Sequence, residues 1–111
     1  MKGLAGRLLG VAAALAAAPA GAGDTPRFGA DDIAKGREQY QRFCVHCHGF
    51  NMVNAGTTVF DLRKFPVDQP DRFRQSVMQG NRAMPSWKDT LTPEQIDWLW
   101  AYVASRGGKE P

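Results

Sequence analysis

Cys44-Val45-His46-Cys47-His48 is the stretch on which the reading of this chain turns. Two cysteines three positions apart with histidine next form C-x-x-C-H, the spacing at which haem is attached covalently to a polypeptide. The chemistry requires that spacing. Two thiols one helical turn apart each add to a vinyl group on one edge of the porphyrin. The following histidine then lies under the ring and ligates the iron as proximal ligand. Cys44 and Cys47 are the only cysteines in the sequence.

Other chemistries use parts of the same stretch. A thiol–disulfide oxidoreductase also carries C-x-x-C, but it wants a β-strand before the motif and a βαβ unit around it. Here Asp31 to Phe43 reads as helix. A structural zinc site needs four ligands around a tetrahedron, usually from two separated segments. All the Cys and His of this chain, Cys44, His46, Cys47 and His48, are crowded into five residues. A plain disulfide leaves His48 and a downstream Met-Pro unexplained. His46 is read as a solvent-facing residue between the two thioethers.

The N-terminus carries an address. Lys2 and Arg7 form a positive region, Leu8 to Ala18 an apolar one, and Ala18-Pro19-Ala20-Gly21-Ala22 a small-residue cleavage region. That is the pattern of a secretory signal peptide, with cleavage expected after Ala22. The apolar stretch is short for a membrane span of about 20 residues. The expected organisation is therefore a signal peptide at 1–22 and one domain at 23–111. Export to the periplasm, with no membrane anchor after cleavage, follows from it. Removing Lys2 and Arg7 leaves 12 basic against 11 acidic side chains. No basic stripe or recognition module remains, so nucleic-acid binding has no support. A domain of this size is marginal on its own core, and a buried, covalently held haem would supply much of it.

The fold class is all-α. The first helix is expected near Asp31 to Phe43, with Ile33, Gly36, Tyr40 and Phe43 at helical spacing on one face. Asp31 and Asp32 suit the positive end of its dipole. Gly36 in mid-helix costs roughly 1 kcal/mol against alanine, which a close helix–helix crossing explains. Gly49 to Gln69 reads as loop with one short helical turn near Phe60 to Lys64. Pro70 to Met78 is a short middle helix, with proline in its first turn and Gly80 placed to stop it. Asn81 to Leu91 is loop. Thr92-Pro93-Glu94-Gln95 opens the last helix with an N-cap threonine, proline at the first position and a glutamine that completes a capping box. Ile96, Leu99, Trp100 and Val103 form its buried stripe, Trp98 and Tyr102 an adjacent ridge. Gly107-Gly108 ends it.

An electron carrier needs a second axial ligand to the iron. No histidine lies outside the motif, and His46 cannot reach the opposite face. Among the methionines of the domain, Met52 lies too close to the motif and Met78 sits in a helix, where packing is the default. Met84 precedes Pro85 in a loop, and proline holds the preceding residue extended. Met84 is thus the expected distal ligand. A thioether favours ferrous iron and raises the potential relative to a second histidine.

With these residues assembled, the chain resembles the class I c-type cytochromes. Gly36 and Tyr40, followed four residues later by Cys44, resemble the family's first-helix pattern. Tyr102 matches the aromatic that this face crosses on the C-terminal helix, and Met84-Pro85 resembles the distal loop. The resemblance implies a small cytochrome c fold, with N- and C-terminal helices crossing, a short middle helix and a haem-filled core. It departs from the family in one place. Many members carry a Gly-Pro after the haem motif, whose carbonyl accepts from the proximal histidine. Here Ala55 to Leu62 contains no proline.

Three segments narrow the resemblance: Gly49 to Asn54, Phe60 to Pro66 and Asn81 to Trp87. They are similar to small cytochromes that serve PQQ-dependent alcohol dehydrogenases. The expected function is a periplasmic mono-haem carrier with one covalent haem c. Its electrons come from such a dehydrogenase, and it passes them toward a terminal oxidase. Cys44 and Cys47 attach the haem, His48 and Met84 ligate iron, and no residue is catalytic. Partners are a redox donor and an oxidase-side acceptor, and the default state is monomer. The competing classes are a haem subunit or sensor with a labile sixth ligand, and a thiol–disulfide oxidoreductase. Arg63, Lys64 and Arg82 are candidates to neutralise haem propionates, Trp87 to pack on the haem edge, and Trp98 and Trp100 to pack between helices.

Overall fold

A computed structural model describes residues 27–54 and 59–111. The expected signal peptide, its cleavage site and the first half of the Ala55 to Leu62 stretch lie outside these residues. Four α-helices carry the fold: α1 (Ala30–Phe43), the single turn α2 (Val45–His48), α3 (Pro70–Gln79) and α4 (Pro93–Ala104). Short 3-10 turns occupy Phe50–Met52 and Leu62–Lys64. There is no strand among the described residues, only one isolated bridge between Asn81 and Met84. The all-α reading and the helix order hold.

The crossing of α1 and α4 organises the molecule. On α1, Ile33, Gly36, Gln39 and Tyr40 are buried at helical spacing. On α4, Ile96 and every residue from Leu99 to Ala104 are buried. Gly36 is the contact point. A Cβ placed on it would stand 1.9 Å from the Trp98 carbonyl oxygen and 2.8 Å from Tyr102 Cβ. Only hydrogen fits there, which accounts for a glycine in mid-helix despite its cost. One turn on, the Tyr40 and Tyr102 rings pack at 5.0 Å.

The ends of α4 are written locally. Thr92 Oγ1 accepts from the Gln95 backbone N–H at 3.1 Å, and the Gln95 side chain accepts from the Thr92 N–H at 2.8 Å. This reciprocal cap satisfies two donors that a helix start leaves open. The helix stops at Ala104, three residues before the Gly107-Gly108 pair expected to end it. Arg106, with φ of 54°, makes the left-handed turn first. Its guanidinium bonds to the Leu62 and Phe65 carbonyls and ties the C-terminus to the loop before α3.

Helix α3 leans on α4 through aromatics. Trp100 packs on Phe65 at 5.7 Å and on Phe73 at 5.1 Å, and Phe65 meets Phe73 edge-on at 5.6 Å. Each such pair adds roughly 0.5–1.5 kcal/mol beyond its buried area. The expected packing role of Trp100 is observed. Trp98 is half-buried, with Lys35 over its ring at 4.9 Å. Gly80 caps α3 with φ of 82°, as its position predicts.

Candidate functional site

The cysteine–histidine motif is placed by the end of α1. The Cys44 N–H still bonds to the Tyr40 carbonyl at 2.8 Å, so helix α1 delivers Cys44 directly. The chain then tightens into α2, where the His48 N–H bonds back to the Cys44 carbonyl at 2.9 Å. That i,i+4 bond stacks Cys44 and His48 on one face. Gly49 reverses the chain with φ of 87°, and a Cβ there would meet the Val53 carbonyl at 2.1 Å. The Tyr40 hydroxyl donates to the Gly49 carbonyl and pins this turn to the helix crossing.

His48 has its second partner. Its Nδ1 lies 3.3 Å from the Phe60 carbonyl. With Nδ1–H donating there, Nε2 keeps its lone pair for a metal. Burial lowers the His48 pKa below its ordinary value, and the Phe60 contact opposes that in part. Burial thus favours the neutral imidazole, the form that ligates. Phe60 thus fills the acceptor role left open by the missing Gly-Pro.

Cys44, His48 and Met84 line a single apolar cleft, which encloses about 750 Å³ including its open mouth. Leu99 and Val103 of α4, together with Tyr40, contribute to the same lining. Cys47 is exposed and His46 faces solvent. Burial pushes the Cys44 thiol up to about 12, with Cys47 adding to the shift. A thiol–disulfide exchange nucleophile needs the opposite, a lowered pKa. Helix, not strand, precedes the motif, so that chemistry loses both its supports.

Met84 is presented by a tight turn. Asn81 and Met84 exchange two backbone hydrogen bonds of 3.0 Å each, and Arg82 between them has φ of 57°. Gly80 sits under the turn, where a Cβ would be 2.8 Å from the Met84 carbonyl oxygen. The Trp87 N–H bonds to the Val77 carbonyl at 2.9 Å, and the Ser86 hydroxyl donates to the Met78 carbonyl. The turn is thus fastened at both ends to α3. The other methionines point elsewhere. Met52 is 2 % exposed and packs beside Gly107 and Tyr102, while Met78 is half-buried against the core outside the cleft lining.

The charged candidates need correction. Arg63, Lys64 and Arg82 do not line the cleft. Arg63 is turned onto Asp61, with Nε and Nη2 bonds of 2.9 and 2.8 Å. Arg72 lines it instead, held over the Phe65 ring at 5.0 Å, with Ser76 one turn further along α3. The sequence did carry a signal for this: Arg72 and Ser76 are i,i+4 neighbours beside the apolar pair Phe73 and Val77. Trp87 lines the cleft as expected and packs on Phe43 at 5.5 Å.

His48, Met84 and Cys44 therefore line one apolar slot: an imidazole and a thioether that suit haem iron, beside a thiol that suits its covalent attachment. The family model for cytochrome c oxidase, cbb3-type, subunit III matches residues 31–103. The chain belongs to the cytochrome c family. Cytochrome c6 of Gloeothece citriformis is 34% identical over 89 residues, which span 77% of this chain and 80% of that protein. Quinohemoprotein alcohol dehydrogenase ADH IIB of Pseudomonas putida is 34% identical over 79 residues. That match covers 68% of this chain and 11% of the dehydrogenase, so this cytochrome c spans about a tenth of that relative's length. ADH-IIG of the same organism is similar, at 35% over 77 residues. No solved structure matches. The cytochrome c family is one of electron carriers, and haem c is the group it implies. Among the described residues no helix is long and apolar enough to cross a membrane.

Proposed function

We propose that the domain at 23–111, exported to the periplasm by a signal peptide at 1–22, carries one haem c in the cleft. Cys44 and Cys47 would hold it by thioether bonds, His48 would ligate iron from the proximal side and Met84 from the distal side. The observation that carries the reading is that His48, with Nδ1 tied to Phe60, shares one apolar cleft with Met84. Bound there, haem supplies a one-electron couple.

The remaining roles belong to the chain's own side chains. Leu99, Val103 and Phe65 keep water from the ring. Arg72 and Ser76 offer a charge and a hydroxyl to carboxylates on the cofactor's rim, in place of Arg63, Lys64 and Arg82. The fastened turn at 81–84 would hold the Met84 thioether for iron, so that haem there would serve electron transfer rather than substrate binding. Phe60, 48 % exposed and also part of the cleft lining, offers apolar surface beside the cleft for a small, transient interface.

The donor we infer is a periplasmic PQQ-dependent alcohol dehydrogenase, and the acceptor lies on the oxidase side. The likeness to segments of two quinohemoprotein alcohol dehydrogenases supports the donor. The test follows reduction of the holo-protein by stopped flow, with a purified quinoprotein alcohol dehydrogenase and its substrate. Fast, saturable, salt-sensitive reduction is expected. If dithionite reduces the haem but the dehydrogenase does not, the donor assignment fails. Met84→Ala tests the site separately. The variant is expected to lose the parent's ferric spectrum, fall in potential and bind carbon monoxide. An unchanged spectrum and potential refute Met84, and carbon monoxide binding by the unmodified ferrous protein favours a sensor with a labile ligand.

A further inference from the structure

Apart from the cleft, a second groove opens between the turn at Asn51–Met52, the middle of α1 and the C-terminal end of α4. It encloses about 1090 Å³ counted with its open face. Met52, Tyr102 and Gly107 lie at its base. Met52 Cε and the Tyr102 ring each lie 3.7 Å from where a Gly107 Cβ would stand.

Its charge is one-sided. Arg37, Arg63, Arg106 and Lys109 line it, against the single carboxylate of Glu110. Asp61 neutralises Arg63. Arg37 and Arg106 are held differently, by neutral acceptors alone. Arg37 Nη2 donates to the Gly107 carbonyl at 2.8 Å, and its guanidinium lies 5.4 Å from the Tyr102 ring centre. Arg106 donates to the Leu62 and Phe65 carbonyls at 3.3 and 2.9 Å. Among the described residues, no carboxylate is within ion-pair distance of Arg37, Arg106 or Lys109. A carbonyl satisfies a donor without cancelling a unit charge. Both guanidiniums are therefore fixed in direction and uncompensated in charge, and a concave wall concentrates their potential. A side chain already ordered loses little freedom when an anion arrives.

Backbone strain marks the same place. The described non-glycine residues with positive φ are Asn51, Met52, Arg82 and Arg106. Arg82 belongs to the Met84 turn, and the other three all line this groove. Such conformations are strained and gather at functional sites.

We propose that this groove binds a compact polyvalent oxyanion, a phosphate- or carboxylate-bearing group of two or more negative charges. Arg37, Arg106, Lys109 and the Asn51 amide are its donors, and Glu110 limits the site to ligands carrying enough charge to outweigh it. The site is separate from the cleft and does not depend on the identity of the redox partner.

The test titrates the holo-protein with inorganic pyrophosphate and, separately, with citrate, at ionic strength held constant with sodium chloride. Calorimetry reads affinity, and amide NMR shifts read location. Saturable one-to-one binding, with shifts at Asn51, Arg106 and Lys109, is expected. Response to either anion alone supports the site and names its oxyanion class. Lys109 is exposed and joins no ion pair among the described residues, so Lys109→Glu is expected to leave the fold intact. It should weaken binding about tenfold, as reversing one near-surface charge beside a polyanion implies, with the haem spectrum unchanged. No saturable response to either anion overturns the proposal, as does affinity indifferent to Lys109→Glu. The haem spectrum is read in the same samples, so failure here is distinguishable from failure of the haem assignment.

Discussion

Gly36→Ala tests the helix crossing that frames the cleft. The new methyl would stand 1.9 Å from the Trp98 carbonyl oxygen, 2.7 Å from its carbon and 2.8 Å from Tyr102 Cβ. None of these atoms moves by a side-chain rotation, so the helices themselves must part, by about 1.5 Å to restore ordinary contact distances. A radial gap of 0.5–1 Å forfeits roughly a quarter to a half of each dispersion contact along the seam. Overpacking of this kind costs about 1–3 kcal/mol, and blockage by backbone puts this site at the upper end. The Tyr40–Tyr102 pair, worth roughly 0.5–1.5 kcal/mol, loosens with it. Alanine returns about 1 kcal/mol of helix propensity. The net expectation is a loss of about 2–3 kcal/mol, read as a lowered urea midpoint of the holo-protein with an unchanged slope. Gly29→Ala is the control. Nothing lies within 4 Å of a Cβ there, and only the N-cap preference changes, by about 1 kcal/mol or less. A loss under about 0.5 kcal/mol at Gly36, or equal losses at both glycines, would refute the close-crossing argument.

Two further predictions concern local devices. Thr92→Ala removes the reciprocal cap of α4 and should cost about 1 kcal/mol in urea unfolding, with Thr92→Ser retaining most of the stability. The Arg63 guanidinium, hydrogen-bonded to Asp61, holds that carboxyl down to about 2. A carboxyl depressed on folding stabilises above its unfolded pKa of about 3.9, and that contribution is lost as pH falls through about 2. Carboxyl-carbon NMR should therefore place the Asp61 midpoint near 2, and Arg63→Ala should return it to the ordinary range. An Asp61 midpoint unmoved by Arg63→Ala would break the assignment.

Much of this architecture was legible because its signals are local or nearly so. The capping box at Thr92 is spelled within four residues. The α1 face repeats at 3.6, and Gly36 stands out as a cost with no local return. The first departure from the expected picture, the helix at Phe50–Met52, lies where the chain adopts left-handed angles at Asn51 and Met52. No propensity reveals that, because the turn exists to deliver a buried Met52 to the core. Which cation lines the cleft was hidden for a related reason. Arg63 and Lys64 are near the cleft in sequence, but Asp61 two residues earlier captures Arg63. Arg72 reaches the lining from a helix, which only the packing of α3 on α4 decides.

The missing Gly-Pro carries the same lesson. A carbonyl is present on every residue, so sequence could not say which one faces His48. The fold answers with Phe60, whose ring packs at 6.0 Å against Phe65 in the aromatic cluster around Trp100. The proximal acceptor is thus positioned by the core rather than by a rigid dipeptide. On the distal side the arrangement is the reverse. Met84 is held by backbone: the two bonds with Asn81, the close approach of Gly80 and the Trp87 anchor on Val77. Both supports converge on α3 and its contact with α4, so the relative position of His48 and Met84 depends on that one packing surface. If His48 and Met84 ligate iron as proposed, fixing both through a shared rigid element is what preorganisation of an electron carrier requires. It also explains why the strained φ at Arg82 persists, since relaxing it would loosen the turn that holds Met84 at the cleft.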